Sequence, residues 1–354
     1  MITVIYSFNK TGFEAEYWTR EIAGASNADV RFVPFNHGKF IETGCYVRAQ
    51  LLDNLFAARD PRLKAMYSEL DALMKSEKAD VLLVDTCPPY HPEYLRTLPI
   101  YKVLRIADGP LASYDRDLAY LHAYDHILYH SPAYSPEIDM KDKLAYCGAK
   151  RADFWPLALF DAAHDTSQTE ETLFALERDI DVVFVGAMHI GKMPLLAQVK
   201  KAFGRRCVMR GLTSFKRNAY FNAKFGFPGW VRPIDFKEYV PLYQRAKIGF
   251  NVHNRGKYTV GGYRMFELPG NGVMQISDGG EYLSSFYEPG REIIGYEEAD
   301  ELIELIRHYL ANDAERETIG RNGYRRVMRD HRIKHRLAQA AALIEPVIPR
   351  RGGA

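Results

Sequence analysis

Cationic and acidic side chains gather around a pair of glycines near residue 262. Gly261, Gly262 and Tyr263 come directly before a short helical stretch, and Glu267 lies one turn into it. Glycines at the start of a helix let a ligand approach the backbone, whose free N–H groups favour an anion such as phosphate. Three cations flank the same stretch: Arg255, Lys257 and Arg264. Because Glu267 can accept hydrogen bonds from sugar hydroxyls, the set predicts a nucleotide-diphosphate ligand.

The stretch from Ala246 to Asp278 must position these residues, and it reads as strand, loop, helix and strand. The run AKIGFNV is apolar throughout, which is typical of a buried parallel strand. A polar loop and the helix YRMFELPG follow, and we expect the helix to end at Pro269 and Gly270. A second apolar run, VMQIS, predicts the next strand. In open parallel sheets, ligands bind outside the carboxyl ends of the strands, where this loop and helix start lie.

Two further cations lie at predicted strand exits. Lys192 follows Gly186 by six positions in GAMHIGK, which is not a phosphate-binding P-loop because the second Gly-Lys-Ser/Thr element is missing. Arg210 ends the strand-like stretch RRCVMRG. Both are candidates for phosphate contacts, with an ordinary surface cation as the alternative. His253 follows the strand KIGFNV, and a lone histidine there is more often a structural hydrogen-bonding group than a catalyst.

These residues also carry a resemblance to a known family. The block GYRMFELPGNG, with IGFNVH before it and EADELIELIRHYLANDAERETIGRNGYRRV after it, resembles the C-terminal half of GT-B glycosyltransferases. It is most similar to the CgeB-like (spore maturation protein) group of the group 1 glycosyl transferases. The resemblance is close over about residues 180–340 and loose in the N-terminal half. It implies two Rossmann-like domains facing a cleft, with a C-terminal helix that crosses back to the N-terminal domain.

The resemblance assigns expected roles to several residues. Glu267 matches the glutamate that binds the donor ribose in family 4 glycosyltransferases, but the partner glutamate eight positions earlier falls on Thr259. Lys192 matches a lysine that contacts the donor phosphates, and the motif NVH places His253 in the site. Arg264 has two interpretations. It neutralises the leaving diphosphate in a site without a metal, or it pairs structurally with a carboxylate.

Strands and helices alternate along the whole chain, which predicts an α/β fold of two doubly wound parallel sheets. We expect an acceptor domain over 1–165, a donor domain over 178–330 and a crossing helix with a tail over 331–354. The polar, acidic stretch 161–177 is the expected linker. The segment LTSFKRNAYFNAKFGFPGW is aromatic and basic without a clear period, so we expect a loop that covers the site.

In the N-terminal half, Asp108 ends the strand VLRIAD and is the leading candidate for handling an acceptor hydroxyl. A carboxylate there could deprotonate that hydroxyl or position it. The equally good alternative is a turn aspartate before Gly-Pro. His37 and His130 are minor candidates for which structural roles are favoured. Other residues qualify only by their place after a strand or before a helix: Asn9, Lys10 and Thr86.

Composition excludes several classes of protein. The net charge of +2 gives no field that favours nucleic acid or membrane, and the basic residues near the C-terminus alternate with acids on helical spacing. Four cysteines lie far apart, which favours reduced thiols in the cytoplasm. The first residues read as a strand and not as a signal peptide, and no apolar run approaches the ~20 residues that span a bilayer. No Asp-x-Asp motif follows a strand, so we expect neither a metal nor a separate cofactor.

Together these features predict a glycosyltransferase that moves a sugar from a nucleotide-diphosphate sugar to an acceptor hydroxyl. The donor is expected to be UDP-, GDP- or dTDP-linked. Two alternatives remain open at this point: a nucleotide-sugar epimerase of the same architecture, and a catalytically silent protein that binds nucleotide sugars or carbohydrate. The acceptor and the oligomeric state are not predicted.

Overall fold

The computed structural model contains two compact units, each built on a parallel sheet. The first unit comprises Met1–Ala162 with Ile333–Ala354, and the second comprises Ala163–Arg332. The predicted α/β class with two parallel sheets is confirmed. The structure describes residues 1–10, 12–41, 49–85, 89–106, 117–135, 137–211, 213–253 and 262–348.

The first unit follows the predicted alternation of strands and helices. Its strands are β1 Ile2–Phe8, β2 Val30–Asn36, β3 Val81–Val84, β4 Tyr101–Ile106, β5 His126–Tyr129, β6 Ala133–Ser135, β7 Ile138–Asp139 and β8 Ala152–Phe154. Its first helices are α1 Gly12–Gly24, α2 Ala49–Ala57, α3 Pro61–Ser76, α4 Pro92–Thr97 and α5 Met140–Tyr146. The described strands form a six-stranded parallel sheet in the order β2-β1-β3-β4-β5-β8, while β6 and β7 pair as a hairpin. Every residue of β1 is buried, as its continuous apolar sequence predicts.

The second unit carries the other sheet. Its strands are β9 Ile180–Val185, β10 Cys207–Arg210, β11 Ala246–Asn251, β12 Met274–Ser277 and β13 Ile294–Gly295. Its helices are α6 Glu170–Phe174, α7 Met193–Phe203, α8 Phe215–Phe225, α9 Tyr239–Gln244, α10 Arg264–Gly270, α11 Ala299–Ala311 and α12 Asp313–Asp330. The described strands are parallel in the order β10-β9-β11-β12-β13. Asn251 is in register with Ser277, so β11 and β12 end side by side and deliver the residues that follow them to the same edge.

Helix α10 ends at Gly270, as predicted, and has a proline within it. Pro269 lies inside the last turn, and Asn271 caps the helix. A proline has no N–H to donate to the carbonyl four residues earlier, which belongs to Met265. The hydroxyl of Tyr287 donates to that carbonyl instead, at 2.6 Å. The helix therefore continues through Pro269 because a tyrosine from another segment supplies the missing hydrogen bond.

The aromatic and basic segment after β10 is a helix, α8, so its prediction as a loop is wrong. Ser214 Oγ accepts a hydrogen bond from the N–H of Arg217 at the start, and Gly226 ends the helix with a φ of 58°. Only Asn218 and Phe221 of this helix are buried. Because so narrow a stripe faces the core, the helical period is hidden among exposed aromatic and basic residues.

A last helix, α13, spans Ile333–Ile344 and belongs to the first unit. The indole N–H of Trp155 donates to the carbonyl of Arg336 at 2.6 Å. The guanidinium of Arg336 donates in return to the carbonyls of Pro156 and Leu157, both at 3.1 Å. The predicted return of the C-terminal helix to the N-terminal half is therefore confirmed.

Candidate functional site

Two cations meet over one aromatic ring in the second unit. Lys192 is 6% exposed, and its Nζ lies 6.0 Å from the centroid of the Phe184 ring. Arg264 is half-buried, and its Cζ lies 4.6 Å from the same centroid. Across the described ranges, no carboxylate forms an ion pair with either side chain. Two positive charges are thus held close together without a salt bridge to compensate them.

This arrangement changes the ionisation of Lys192. Burial, followed by the positive charge of Arg264, lowers the pKa of Lys192 to about 7, and the charge of Asp278 opposes this only in part. A bound anion would restore the charged form, because an opposite charge at close range favours the ammonium. The pair of cations is therefore suited to an anionic ligand.

Gly186 lies directly under the guanidinium of Arg264. A Cβ placed on Gly186 would come within 1.8 Å of Nη2 of Arg264. The N–H of Gly186 donates to the carbonyl of Arg210 at 3.0 Å, which fixes the backbone at the end of β9. A glycine is needed here because the arginine occupies the space of a side chain.

We therefore expect Gly186→Ala to displace Arg264 while keeping its charge. The variant should bind a phosphorylated ligand at least about tenfold more weakly, since a misplaced cation loses its directed hydrogen bonds. Isothermal titration calorimetry measures the loss. Gly191→Ala is the matched control, because a Cβ there meets no atom within 4 Å. Equal affinity of Gly186→Ala and the wild type would mean that Arg264 does not contact the ligand.

A chain of hydrogen bonds fixes Arg264 from the other side. Nη1 of Arg264 donates to Oδ1 of Asn251 at 2.6 Å. The amide of Asn251 lies 3.2 Å from Nε2 of His253, whose Nδ1 lies 2.7 Å from Oδ1 of Asp278. One tautomer satisfies all three contacts, with Nδ1–H donating to Asp278 and Nε2 accepting from Asn251. His253 therefore orients Asn251, and Asn251 orients Arg264.

Asn251 and Asp278 were not predicted from the sequence as site residues. Both could have been found, because each stands at the carboxyl end of a strand in the stretch that holds the other candidates. Asp278 also accepts hydrogen bonds from the backbone N–H of His253, at 2.9 and 3.1 Å. The hydroxyl of Tyr296 donates to the carbonyl of Asn251 at 2.9 Å. The ends of both strands are thus fixed by buried polar contacts.

Glu267 lies on α10 and is 8% exposed. The hydroxyl of Tyr243 donates to Oε2 of Glu267 at 3.3 Å. Burial and the charge of Glu267 raise the pKa of Tyr243, so the tyrosine remains a donor at neutral pH. Glu267 follows Arg264 by three positions, a spacing that places both on neighbouring parts of one helix face.

The first turn of α10 uses most of its own amides. The N–H of Met265 donates to the carbonyl of Gly262, and those of Phe266 and Glu267 donate to the carbonyl of Tyr263. Gly262 is exposed with open space around its Cα, and Tyr263 is half-buried. The helix has only seven residues. The cations Lys192 and Arg264, and not the helix terminus, are therefore the strongest attraction for an anion here.

The remaining predicted residues lie apart from this group or outside the described ranges. The backbone of Arg210 contacts Gly186, but its side chain donates to the carbonyl of Met209 and lines a cavity of about 210 Å³ with Trp230. Several predicted residues fall outside the described ranges: Thr86, Asp108, Arg255, Lys257, Thr259 and Gly261.

The two minor histidine candidates are buried in the first unit. His37 is 0% exposed, its Nδ1 lies 2.9 Å from Oγ of Ser7, and burial lowers its pKa to about 3. Nδ1 of His130 lies 3.2 Å from the carbonyl oxygen of Ile106. Both contacts fit the favoured structural roles.

The described residues form neither a metal site nor a membrane span. No three His, Cys, Asp or Glu side chains there are grouped so that they could hold a metal ion. None of the helices described is both long and apolar enough to cross a membrane.

Comparisons with known proteins support these observations. Residues 194–342 match the family model described as glycosyl transferase-like. No curated protein matches the chain in sequence. Among solved structures, the chain is similar to sucrose-phosphate synthase from Thermosynechococcus elongatus, with 13% identity, a TM-score of 0.62, and coverage of 98% of this chain and 99% of that one. The chain has the GT-B glycosyltransferase fold.

Two more GT-B structures resemble the chain over almost its whole length. HepE of Anabaena, solved in complex with UDP, is 12% identical with a TM-score of 0.58, and the match covers 98% of this chain and all of HepE. A glycosyltransferase from Rickettsia africae is 11% identical with a TM-score of 0.58, covering 98% of each chain. HepE has also been solved in complex with UDP-glucose. The family match and the GT-B fold together support the prediction of a transferase enzyme that uses a nucleotide sugar.

Proposed function

We propose that the second unit binds the diphosphate of a nucleotide sugar between Lys192 and Arg264, and that the enzyme transfers the sugar to an acceptor hydroxyl. The observation that carries this proposal is the pair of cations over Phe184, which has no ion-paired carboxylate within the described part of the chain. Because a buried lysine and a half-buried arginine repel each other, their cost is best explained by an anionic ligand that they hold.

Arg264 is the group that stabilises the leaving diphosphate. Its guanidinium is fixed by Asn251 and by the ring of Phe184. A cation held in place before the reaction stabilises developing negative charge without reorganisation. Lys192 supplies the second charge. This chemistry requires neither a metal ion nor a separate cofactor, since the two side chains provide the charge that a divalent cation would provide.

Glu267 binds the ribose of the donor. The carboxylate accepts hydrogen bonds from two ribose hydroxyls, while Tyr243 fixes one of its oxygens. His253 is a positioning residue, because its ring nitrogens are used by Asp278 and Asn251. Asp108 remains the proposed group for the acceptor hydroxyl.

The donor probe of first choice is UDP-glucose, because HepE, which shares the fold, has been solved with it. We place the chain in the CgeB-like group on the motifs N-h-H and R-x-F-E, which residues 251–253 and 264–267 match. We also place the reaction in the cytoplasm, which the free thiols of Cys147 and Cys207 support.

A thermal-shift panel of UDP-, GDP-, dTDP- and CDP-linked sugars tests the proposed function. A donor at about 100 times its Kd adds about 2.7 kcal/mol to the free energy of unfolding, which raises the melting temperature by several degrees. Products are then analysed with the stabilising donor alone and with a panel of acceptor sugars. An isomerised donor would identify an epimerase, and binding without turnover would identify a silent binding protein. If no donor stabilises the fold, the proposal is wrong.

Glu267 provides a sharper test of the nucleotide's orientation. We expect Glu267→Ala to weaken UDP-glucose binding by at least ~1 kcal/mol, because two ribose hydroxyls lose their acceptor. Calorimetry with UDP-glucose and with inorganic pyrophosphate separates the contributions. Pyrophosphate has no ribose, so its affinity should change by less than about twofold. An equal loss for both ligands would remove Glu267 from the ribose site.

A further inference from the structure

The segment around α8 concentrates positive charge. Between Lys200 and Arg232 the chain has nine lysines and arginines and no aspartate or glutamate, although the net charge of the whole protein is only +2. Among the described residues, only Arg206 of this group forms an ion pair, with Asp181. The other cations face solvent or carbonyl groups. This part of the surface therefore has a local positive potential that the overall composition conceals.

The same segment exposes large aromatic side chains. Phe215 is 74% exposed, Trp230 is 51% exposed and Tyr220 is 40% exposed. The rings of Phe215 and Trp230 contact each other, with centroids 4.8 Å apart and an interplanar angle of 41°. Phe215 and Trp230 therefore form one contiguous exposed apolar pair, and such patches mark an interaction surface more often than scattered single residues do.

Two asparagines hold the aromatic residues in position. Asn218 exchanges hydrogen bonds with the backbone of Val231, at 2.9 and 3.1 Å. The amide of Asn222 donates to the carbonyls of Phe227 and Gly229, at 2.6 and 2.9 Å. These contacts fasten the loop that carries Trp230 onto α8. The exposure of Trp230 is thus imposed by the fold and does not result from a loose loop.

Cations alternate with the aromatic residues along α8. Lys216 and Arg217 follow Phe215, and Nζ of Lys224 lies 5.4 Å from the Tyr220 ring. We use the term α8 surface for this set: Phe215, Lys216, Arg217, Tyr220, Lys224 and Trp230. Tryptophan, tyrosine and phenylalanine prefer the boundary between water and hydrocarbon, and lysine and arginine attract anionic headgroups.

We propose that the α8 surface docks the protein onto an anionic lipid bilayer. The aromatic residues enter the headgroup region, and the cations contact lipid phosphates. This inference does not depend on the donor-binding function, because none of the six residues belongs to the proposed diphosphate or ribose site.

The geometry favours a bilayer over a single-stranded nucleic acid, the other common partner of mixed basic and aromatic surfaces. A base stacks on an open, flat aromatic face within a groove that follows the phosphate backbone. Phe215 and Trp230 instead cover part of each other and form one projecting apolar group. Phe215 begins α8 and Trp230 lies on the loop fastened to it, and both side chains are exposed, as insertion into an interface requires.

Vesicle sedimentation with the full chain tests the proposal. The vesicles contain phosphatidylcholine alone, or phosphatidylcholine with about one third phosphatidylglycerol, in about 0.1 M and about 0.5 M salt. We expect binding to the anionic vesicles at low salt, and at least about tenfold weaker binding at high salt or without the anionic lipid. Equal binding to neutral vesicles, or no vesicle binding together with binding of a single-stranded oligonucleotide, would overturn the proposal.

Tryptophan fluorescence reports the docking face directly. The protein has three tryptophans, of which Trp18 and Trp155 are 4% and 1% exposed. A blue shift of the emission on anionic vesicles, with quenching by brominated lipid, therefore reports on Trp230. Trp230→Phe should retain binding and lose the shift. A shift that persists in Trp230→Phe would contradict insertion at this surface.

Matched variants separate the contribution of charge from that of the aromatic residues. Replacing the three cations of the α8 surface by glutamine should weaken vesicle binding at least about tenfold. The control replaces three exposed arginines that each have a carboxylate partner, and binding should then change by less than about twofold: Arg291, Arg307 and Arg329. Phe215→Ser with Trp230→Ser should also weaken binding, with an unchanged melting temperature. Equal losses in the surface and control variants would show that total charge, and not the α8 surface, controls binding.

Discussion

Arg264→Gln should weaken UDP-glucose binding by at least about thirtyfold, because a fixed and partly buried cation facing an anion typically contributes about 2–5 kcal/mol. The ligand-free protein should remain as stable as the wild type or become more stable. After burial, the positive charge of Arg264 is the second cause that lowers the pKa of Lys192, so the two cations repel each other when no anion is bound. Removing one charge therefore relieves repulsion in the free protein while it destroys the anion site.

Two measurements separate this result from a simple folding defect. Thermal unfolding without ligand gives the stability, and calorimetry with UDP-glucose gives the affinity. Arg291→Gln is the charge-matched control, because Arg291 is exposed and pairs with Glu288. A variant at Arg264 that binds UDP-glucose as tightly as the wild type would contradict the proposed diphosphate site. A variant that loses stability and affinity together would instead assign Arg264 a structural role.

UDP-glucose binding should also take up protons near neutral pH, through Lys192. In the free protein the pKa of Lys192 is lowered to about 7 by burial and by Arg264, so about half of the molecules carry a neutral lysine at that pH. The bound diphosphate favours the charged form. Affinity should therefore fall as pH rises from about 6 to about 8, by up to about tenfold per pH unit above the pKa. Each phosphorus of UDP-glucose carries one ester, the shared anhydride oxygen and a single strongly acidic hydroxyl, so the diphosphate itself does not titrate in this range.

Calorimetry in two buffers with different ionisation enthalpies counts the protons. The wild type should take up about half a proton at pH 7, and Lys192→Met should take up almost none and bind weakly at every pH. Lys224→Met is the matched control, because Lys224 is exposed and lies outside the proposed diphosphate site. A pH-independent affinity in the wild type would show that Lys192 does not contact the diphosphate.

The lowered pKa of Lys192 also makes the free energy of unfolding depend on pH. Stability should rise with pH, whereas the affinity for UDP-glucose should fall. The folded-state pKa of Lys192, about 7, is below the ordinary value of 10.5, so the unfolded chain binds this proton more tightly. The buried lysine therefore reduces stability below about pH 7, and the penalty disappears as pH rises toward 10.5. Without ligand, the wild type should gain more stability than Lys192→Met over this range.

Much of the fold follows from local sequence signals. An aspartate directly before a proline is a sequence signal for a helix start, and helix α3 begins there: Asp60 accepts the capping hydrogen bond from the N–H of Arg62. Asp235 likewise begins its turn through a capping box with Glu238. Helix α8 could not be predicted in the same way, because its buried stripe contains only Asn218 and Phe221. Its stability depends on asparagine contacts to a loop that follows it in the chain.

The candidate site was predicted in part. A strand exit identified Lys192, and the helix that follows Gly261 and Gly262 identified Arg264 and Glu267, because strand ends, glycine-opened helices and charged residues are visible in a sequence. The contact between Arg264 and Gly186 joins segments far apart in the chain, and no local pattern reveals it. The hydrogen bonds that fix Arg264 were missed for the same reason. The position of Asn251 at a strand end is visible in the sequence, but its hydrogen bond to Arg264 is not.

Helix α13 completes the first unit although the whole of the second unit precedes it in the chain. During synthesis on the ribosome, the second unit is therefore available as one continuous segment before the first can bury Trp155 against Arg336. The hydrogen bond between Trp155 and Arg336 cannot form until translation has passed residue 336. The second unit can therefore fold completely before the first unit has received its last helix.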